Sequence, residues 1–224
     1  MCKVENSRLV LKLARICFAL YSNGSFTRRI IQSLRPFICP LDKIIHNVPA
    51  NSDVLDIGCG AGSLIGLLAK LNLIRSGTGL DIDEKAIADA SKMSVYLDKR
   101  CEIEFFYEEL QQFAQKGKMF STVLMVDVLH HVTPSKQIDF INLAQSFVQP
   151  NGILIFKDMC QKPAWKAFMN RIHDLIMAKQ WIHYFPIQGV IDHLTQKGFQ
   201  VINREDYSNF WYGHEMCVFK RMNK

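Results

Sequence analysis

Val54-Leu55-Asp56-Ile57-Gly58-Cys59-Gly60-Ala61-Gly62-Ser63-Leu64, followed further on by Gly79-Leu80-Asp81-Ile82-Asp83, decides how the chain folds. Four strand-forming residues run into three glycines at alternate positions, and a helical pattern begins at once, the sequence form of a strand, tight turn and helix that cradle a ligand. Outward from this unit, strands are expected near 54–57, 78–82, 102–106, 121–126 and 152–157, alternating with helices near 62–72, 84–97, 108–115 and 134–148. Parallel strands need crossover connections, so the alternation predicts an α/β fold, a mostly parallel sheet with helices on both faces. A helix over Gln188–Lys197, closed by Gly198, precedes strands near 199–204 and 213–220. Glu205 to Tyr212 is too short for a parallel crossover, so these strands are expected to pair antiparallel at an edge.

The 224 residues are 49% hydrophobic, enough for one sizeable core. Of 27 cations and 21 acids, residues 1–50 hold eight cations and two acids, leaving nineteen of each sign elsewhere. The basic excess is therefore local, and a general nucleic-acid footprint is weakly supported. Seven scattered cysteines with no Cys-x-x-Cys suggest reduced thiols in a cytoplasmic protein, not a disulfide framework or zinc site. The early apolar run Leu9–Tyr21 carries Lys12 and Arg15 and is too short to span a bilayer, and it lacks the form of a signal peptide.

Residues 6–21 repeat apolar side chains at helical spacing, with Arg8, Lys12 and Arg15 on one stripe. Two readings stand: a capping helix with a solvated cationic face, or peripheral attachment to an anionic membrane. A second helix is expected over 27–35, ending before Pro36, and a third from Pro40 to about Asn47. Residues 1–49 thus form an N-terminal helical cap. Residues 50–224 form the main domain, with a helical lid inserted at about 160–185, over the carboxyl ends of the strands where open α/β sheets bind ligands.

Asp56 stands two residues before the first glycine. An acid at a strand end is poorly suited to a doubly charged pyrophosphate and well suited to an ammonium group, so the residues favour a cationic or zwitterionic nucleoside. With that acid and the Gly-x-Gly-x-Gly spacing, Val54–Leu64 resembles the first motif of the Rossmann-like S-adenosylmethionine-dependent methyltransferases. The likeness runs through residues 50–158 and implies a seven-stranded sheet with the last strand antiparallel. By resemblance, Asp56, Gly58, Cys59, Gly60 and Gly62 form the cofactor turn, Asp81 holds the ribose hydroxyls with Ile82 beside it, and Glu109 and Leu110 meet the adenine. Phe120–Val132 resembles the fourth-strand motif, in which Asp127 either caps the next helix or holds the methionine end. Gln149-Pro150-Asn151-Gly152 is similar to the turn into the fifth strand, with Asn151 tolerating a left-handed backbone.

The resemblance implies methyl transfer from S-adenosyl-L-methionine. His131, just past the fourth strand, is the candidate base, with a packed or capping histidine as its alternative. Trp165, His173 and His214 are candidates for an acceptor pocket, with core or edge packing as the commoner role of any one such residue. No spacing of a metal site is evident. The expected acceptor is a small or medium apolar molecule bearing a hydroxyl. Alternatives are a carbon methyltransferase acting on a membrane-associated quinone or polyketide, a binding module that transfers nothing, and a nicotinamide-dependent oxidoreductase. Nucleic-acid bases are disfavoured as acceptors, because Asp127-Val128-Leu129-His130 stands where an Asn-Pro-Pro-aromatic signature would be.

Overall fold

The computed structural model describes residues 2–159, 183–209 and 212–223. The expected lid over 160–185 therefore falls almost wholly outside the described residues, as do Trp165 and His173. Seven strands make up a mixed, mostly parallel sheet, and the chain gathers into two compact units, residues 1–109 and 110–224.

The first unit begins with three helices, α1 (Cys2–Leu20), α2 (Phe26–Ile38) and α3 (Leu41–Asn47). β1 (Ser52–Ile57), α4 (Ser63–Lys70), β2 (Ile74–Asp81), α5 (Glu84–Ser94) and β3 (Glu102–Tyr107) follow. The strands lie in the order β3-β2-β1, all parallel. Val54 and Leu55 of β1 and Ile65, Leu67 and Leu68 of α4 are fully buried, as expected of a parallel strand covered on both faces. α1 turns Leu13, Cys17 and Leu20 inward, while Arg8, Lys12 and Arg15 stay exposed. Asp83 caps α5 by accepting from the amides of Lys85 and Ala86.

Two sequence expectations change here. α2 does not stop before Pro36 but runs on to Ile38. The proline in the last turn forfeits one bond to the carbonyl four residues back, yet the helix continues and the Cys39 amide reaches Arg35 O at 2.8 Å. β2 begins at Ile74, earlier than expected. Arg75, Ser76 and Gly77 have weak strand propensity, but pairing with β1 and β3 overrides it.

The second unit contains α6 (Leu110–Ala114), β4 (Phe120–Val126), α7 (Gln137–Ser146), β5 (Val148–Met159), α8 (Ile187–Gln196), β6 (Phe199–Asn209) and β7 (Tyr212–Arg221). Its strands run β4-β5-β7-β6. β5 is parallel to β4, and β7 is antiparallel to both β5 and β6, so the last strand reverses as the sequence suggests. The helix expected from 134 starts as a single tight turn at Pro134–Lys136 and becomes α7 only at Gln137. Asn151 takes φ 62°, the left-handed conformation anticipated for it. No helix among the described residues is long and apolar enough to cross a membrane.

Gly62 is one of the tight points of the first unit. It takes φ 79° as the residue before α4, and a Cβ there would lie 2.6 Å from the Phe105 ring of β3. Gly117 shares the left-handed backbone (φ 64°) but has open space around it. Gly62→Ala is expected to cost about 2–4 kcal/mol and Gly117→Ala only about 1 kcal/mol, read as shifts in the urea midpoint. Equal losses would show that backbone strain, not the Phe105 contact, sets the requirement.

Candidate cofactor and catalytic site

In the first unit the glycine turn is tied to the end of β2 by three consecutive amides. Gly58 and Cys59 both donate to Leu80 O, at 2.8 and 2.9 Å, and Gly60 donates to Asp81 Oδ2 at 2.7 Å. The other Asp81 oxygen accepts from the Asp83 amide at 2.9 Å. Each carboxylate oxygen keeps a second lone pair, so Asp81 is oriented without being saturated. Register places Asp56 of β1 beside Gly79 of β2, which brings Asp56, the glycines and Asp81 together as the sequence implied.

Asp56 is 3% exposed. Burial pushes its carboxyl up to about 7, with Asp81 adding to the rise and Arg35 opposing it. A buried acid held near neutrality is a ready counter-charge for a ligand ammonium. Burial likewise pushes the Cys59 thiol well above its ordinary range, reinforced by Asp56 and Asp81. Ile82 is exposed, Glu109 is exposed just past β3, and Leu110 opens α6 as a buried residue.

Sequence reasoning missed what covers the turn. Arg35 of α2 brings a guanidinium nitrogen 3.6 Å from where a Gly60 Cβ would stand. Gln32 of the same helix accepts from Ser63 Oγ at 2.5 Å, and the Tyr21 hydroxyl donates to Ala61 O at 2.6 Å. A cation over a glycine turn that also carries an acid suits a zwitterion, with a carboxylate for Arg35 and an ammonium for Asp56.

The second unit holds a buried polar cluster at the carboxyl ends of β4 and β5. Asp127 follows β4 in the left-handed conformation (φ 54°), its amide bonded to Lys157 O at 2.9 Å. Its carboxylate does not cap the next turn, whose first residue has no side-chain cap. Instead both oxygens accept from Lys157 Nζ, at 2.5 and 2.7 Å. Burial alone would raise the Asp127 carboxyl, but the ammonium of Lys157, then His214 and His130, outweigh it and hold it far below its usual range.

Beside this pair, Asp158 grips His130 through the ring Nδ1 and through the backbone amide at 3.2 Å. His131 is exposed and lies against the His130 ring, centroids 4.1 Å apart. His214 of β7 is 1% exposed, opposite Met159 of β5. Asp127, His130 and Asp158 bring one ligand atom each within 4.8 Å of one another. A metal ion there would sit against the Lys157 ammonium, which already bonds both Asp127 oxygens. Lys157 has a sequence signal after all: a lysine ending the apolar run Ile153–Phe156 cannot be buried without an acid.

A family model described as "Methyltransferase domain" matches residues 27–204. Ubiquinone biosynthesis O-methyltransferase of Roseobacter denitrificans is 24% identical, covering 83% of this chain and 78% of its own length. Alpha N-terminal protein methyltransferase 1 of Arabidopsis thaliana is 25% identical over 54% of this chain, and the match spans only 45% of that relative. Among solved structures, magnesium protoporphyrin IX methyltransferase from Synechocystis PCC 6803 with bound SAH superimposes with TM-score 0.66 at 22% identity, covering 96% of this chain and 99% of its own.

Lys157→Met leaves Asp127 buried without its cation and is expected to destabilise the chain by about 3–5 kcal/mol, whereas Asp127→Asn/Lys157→Met recovers most of that loss. Because the folded-state pKa of Asp127 is depressed, its contribution is present above the unfolded carboxylate value of about 3.9 and is lost as pH falls below it. Urea unfolding at pH 7 and pH 3 reads both effects. A double variant as unstable as the single one would refute the pairing.

Proposed function

The chain belongs to the methyltransferase-domain family and works with S-adenosylmethionine, and we propose that it methylates a hydroxyl oxygen of a small or medium apolar acceptor, with His131 as base. The observation that carries this reading is the exposed His131 ring resting on a His130 that Asp158 holds in place. The relatives named ubiquinone biosynthesis O-methyltransferase support oxygen as the methylated atom, since two of them cover 83% and 90% of the chain.

Bound S-adenosylmethionine supplies a methyl already activated by its sulfonium. In this proposal Asp56 takes the ammonium of the methionine end and Arg35 its carboxylate. Asp81 receives the ribose hydroxyls on its remaining lone pairs. Ile82, Glu109 and Leu110 serve the adenine, Asp127 lends its charge at the methionine end, and Trp165, His173 and His214 shape the acceptor pocket. His131 takes the acceptor's proton on a ring nitrogen, while Asp158 and His130 keep that ring from turning away. The remaining work is alignment of the acceptor oxygen with the methyl.

Two outcomes follow. Cofactor affinity rises with pH up to about 7, because below it Asp56 must first lose a proton. Kd is expected to fall by about tenfold per unit across that range and to be flat and weak in Asp56→Asn, measured by calorimetric titration. His131→Ala is expected to lower kcat by about 10²–10⁴-fold with cofactor Kd unchanged, on hydroxylated aromatic acceptors. Carbon-13 spectra of the product decide the atom: a methyl on carbon or nitrogen, or an undiminished kcat, would sink this reading.

A further inference from the structure

α2 presents its polar and apolar sides the wrong way round for a helix in water. Its inward side carries Gln32 and Pro36. Arg28 is paired with Asp89 at 2.6 Å, the Arg29 guanidinium lies 4.0 Å over the Phe18 ring, and Arg35 reaches the glycine turn. The outward side holds Phe26, Ile30 and Leu34 at helical spacing, with Ile31 next to them, exposed by 71%, 38%, 48% and 43%. All three arginines of the helix thus point at the protein, and a continuous apolar stripe points at solvent. A face of this kind marks contact with an apolar phase or partner.

α1 packs alongside α2 and carries exposed charge of its own. Arg8, Lys12 and Arg15 are exposed on its outer side. Lys12 and Arg15, with Lys70 at the end of α4, line a groove of about 270 Å³ together with Ile16, Ala19, Tyr96 and the buried Leu20. No acidic residue lines it. Three cations beside an apolar lining fit the phosphate of an amphiphile with hydrocarbon below it.

We propose that the outer face of α1 and α2 docks on an anionic phospholipid surface. The Phe26-Ile30-Leu34 stripe enters the acyl boundary, and the Lys12-Arg15-Lys70 groove holds a lipid phosphate. A second copy of the chain is the poorer occupant, because Arg8, Lys12, Arg15 and Lys70 are exposed there and two such faces repel. This inference concerns attachment and stands whether or not the hydroxyl reading holds.

The test is co-sedimentation of the full chain with phosphatidylcholine vesicles, with and without phosphatidylglycerol. Binding is expected only with the anionic lipid and is expected to weaken with salt. Phe26→Ser/Leu34→Ser should weaken it roughly tenfold or more, and Lys12→Ala/Lys70→Ala by about fivefold for each lost cation. Circular dichroism and S-adenosylmethionine binding should be unchanged in both variants. The proposal is overturned if anionic vesicles are not bound, if both variants bind as the parent does, or if glycerol phosphate binds while vesicles do not. It is also overturned if light scattering finds a dimer that Phe26→Ser/Leu34→Ser makes monomeric, which would assign the face to self-association.

Discussion

The first unit hangs on the end of β2, where Leu80 O and the Asp81 carboxylate collect the amides of Gly58, Cys59 and Gly60. Those three donors would otherwise be orphaned in a buried turn. Once they are fixed, the path of the chain into α4 is fixed too, and it is viable only because Gly62 leaves room for Phe105. Asp56 is then enclosed with too little solvent to stay charged cheaply, and the covering helix α2 follows through the Gln32–Ser63 bond. The turn's geometry and its local packing are in this way the same set of contacts.

The second unit solves a different problem, that of keeping charge inside a sheet. Lys157 is fully buried, and its partner Asp127 is the one described residue of β4's exit that takes a left-handed backbone. The turn aims the carboxylate back at β5, and the ion pair in turn makes the unfavourable backbone tolerable. Asp158, one residue on, holds His130, and its carboxylate comes within 4.8 Å of Asp127. Adjacent residues of one strand therefore feed a single buried polar cluster.

How much of this could be read in the sequence depends on the range of the contact. The strand, the alternate glycines and Asp81 were legible because the motif is local and each residue type has one physical job. The antiparallel edge was legible because a short link leaves no other pairing. Arg35 was not, since its role arises when a helix upstream folds back over the turn, and a lysine or arginine in an amphipathic helix reads first as solvated. The apolar stripe of α2 was not legible either, because the sequence alone does not say that its arginines face inward. Asp127 was half legible: its importance showed in the motif, but the partner lies thirty residues away in β5.

The enclosure of Cys59 has a chemical corollary. Only the thiolate is a good nucleophile, and burial beside two carboxylates keeps this sulfur protonated. Cys17 and Cys217 are pushed up to about 12 by the same loss of solvent. Oxidants and alkylating agents therefore find little thiolate at these three positions in the folded chain, and the glycine turn keeps its shape through changes of redox state that would modify an exposed cysteine. A turn that must stay constant in geometry is thus insulated from the chemistry of its surroundings by the packing that shapes it.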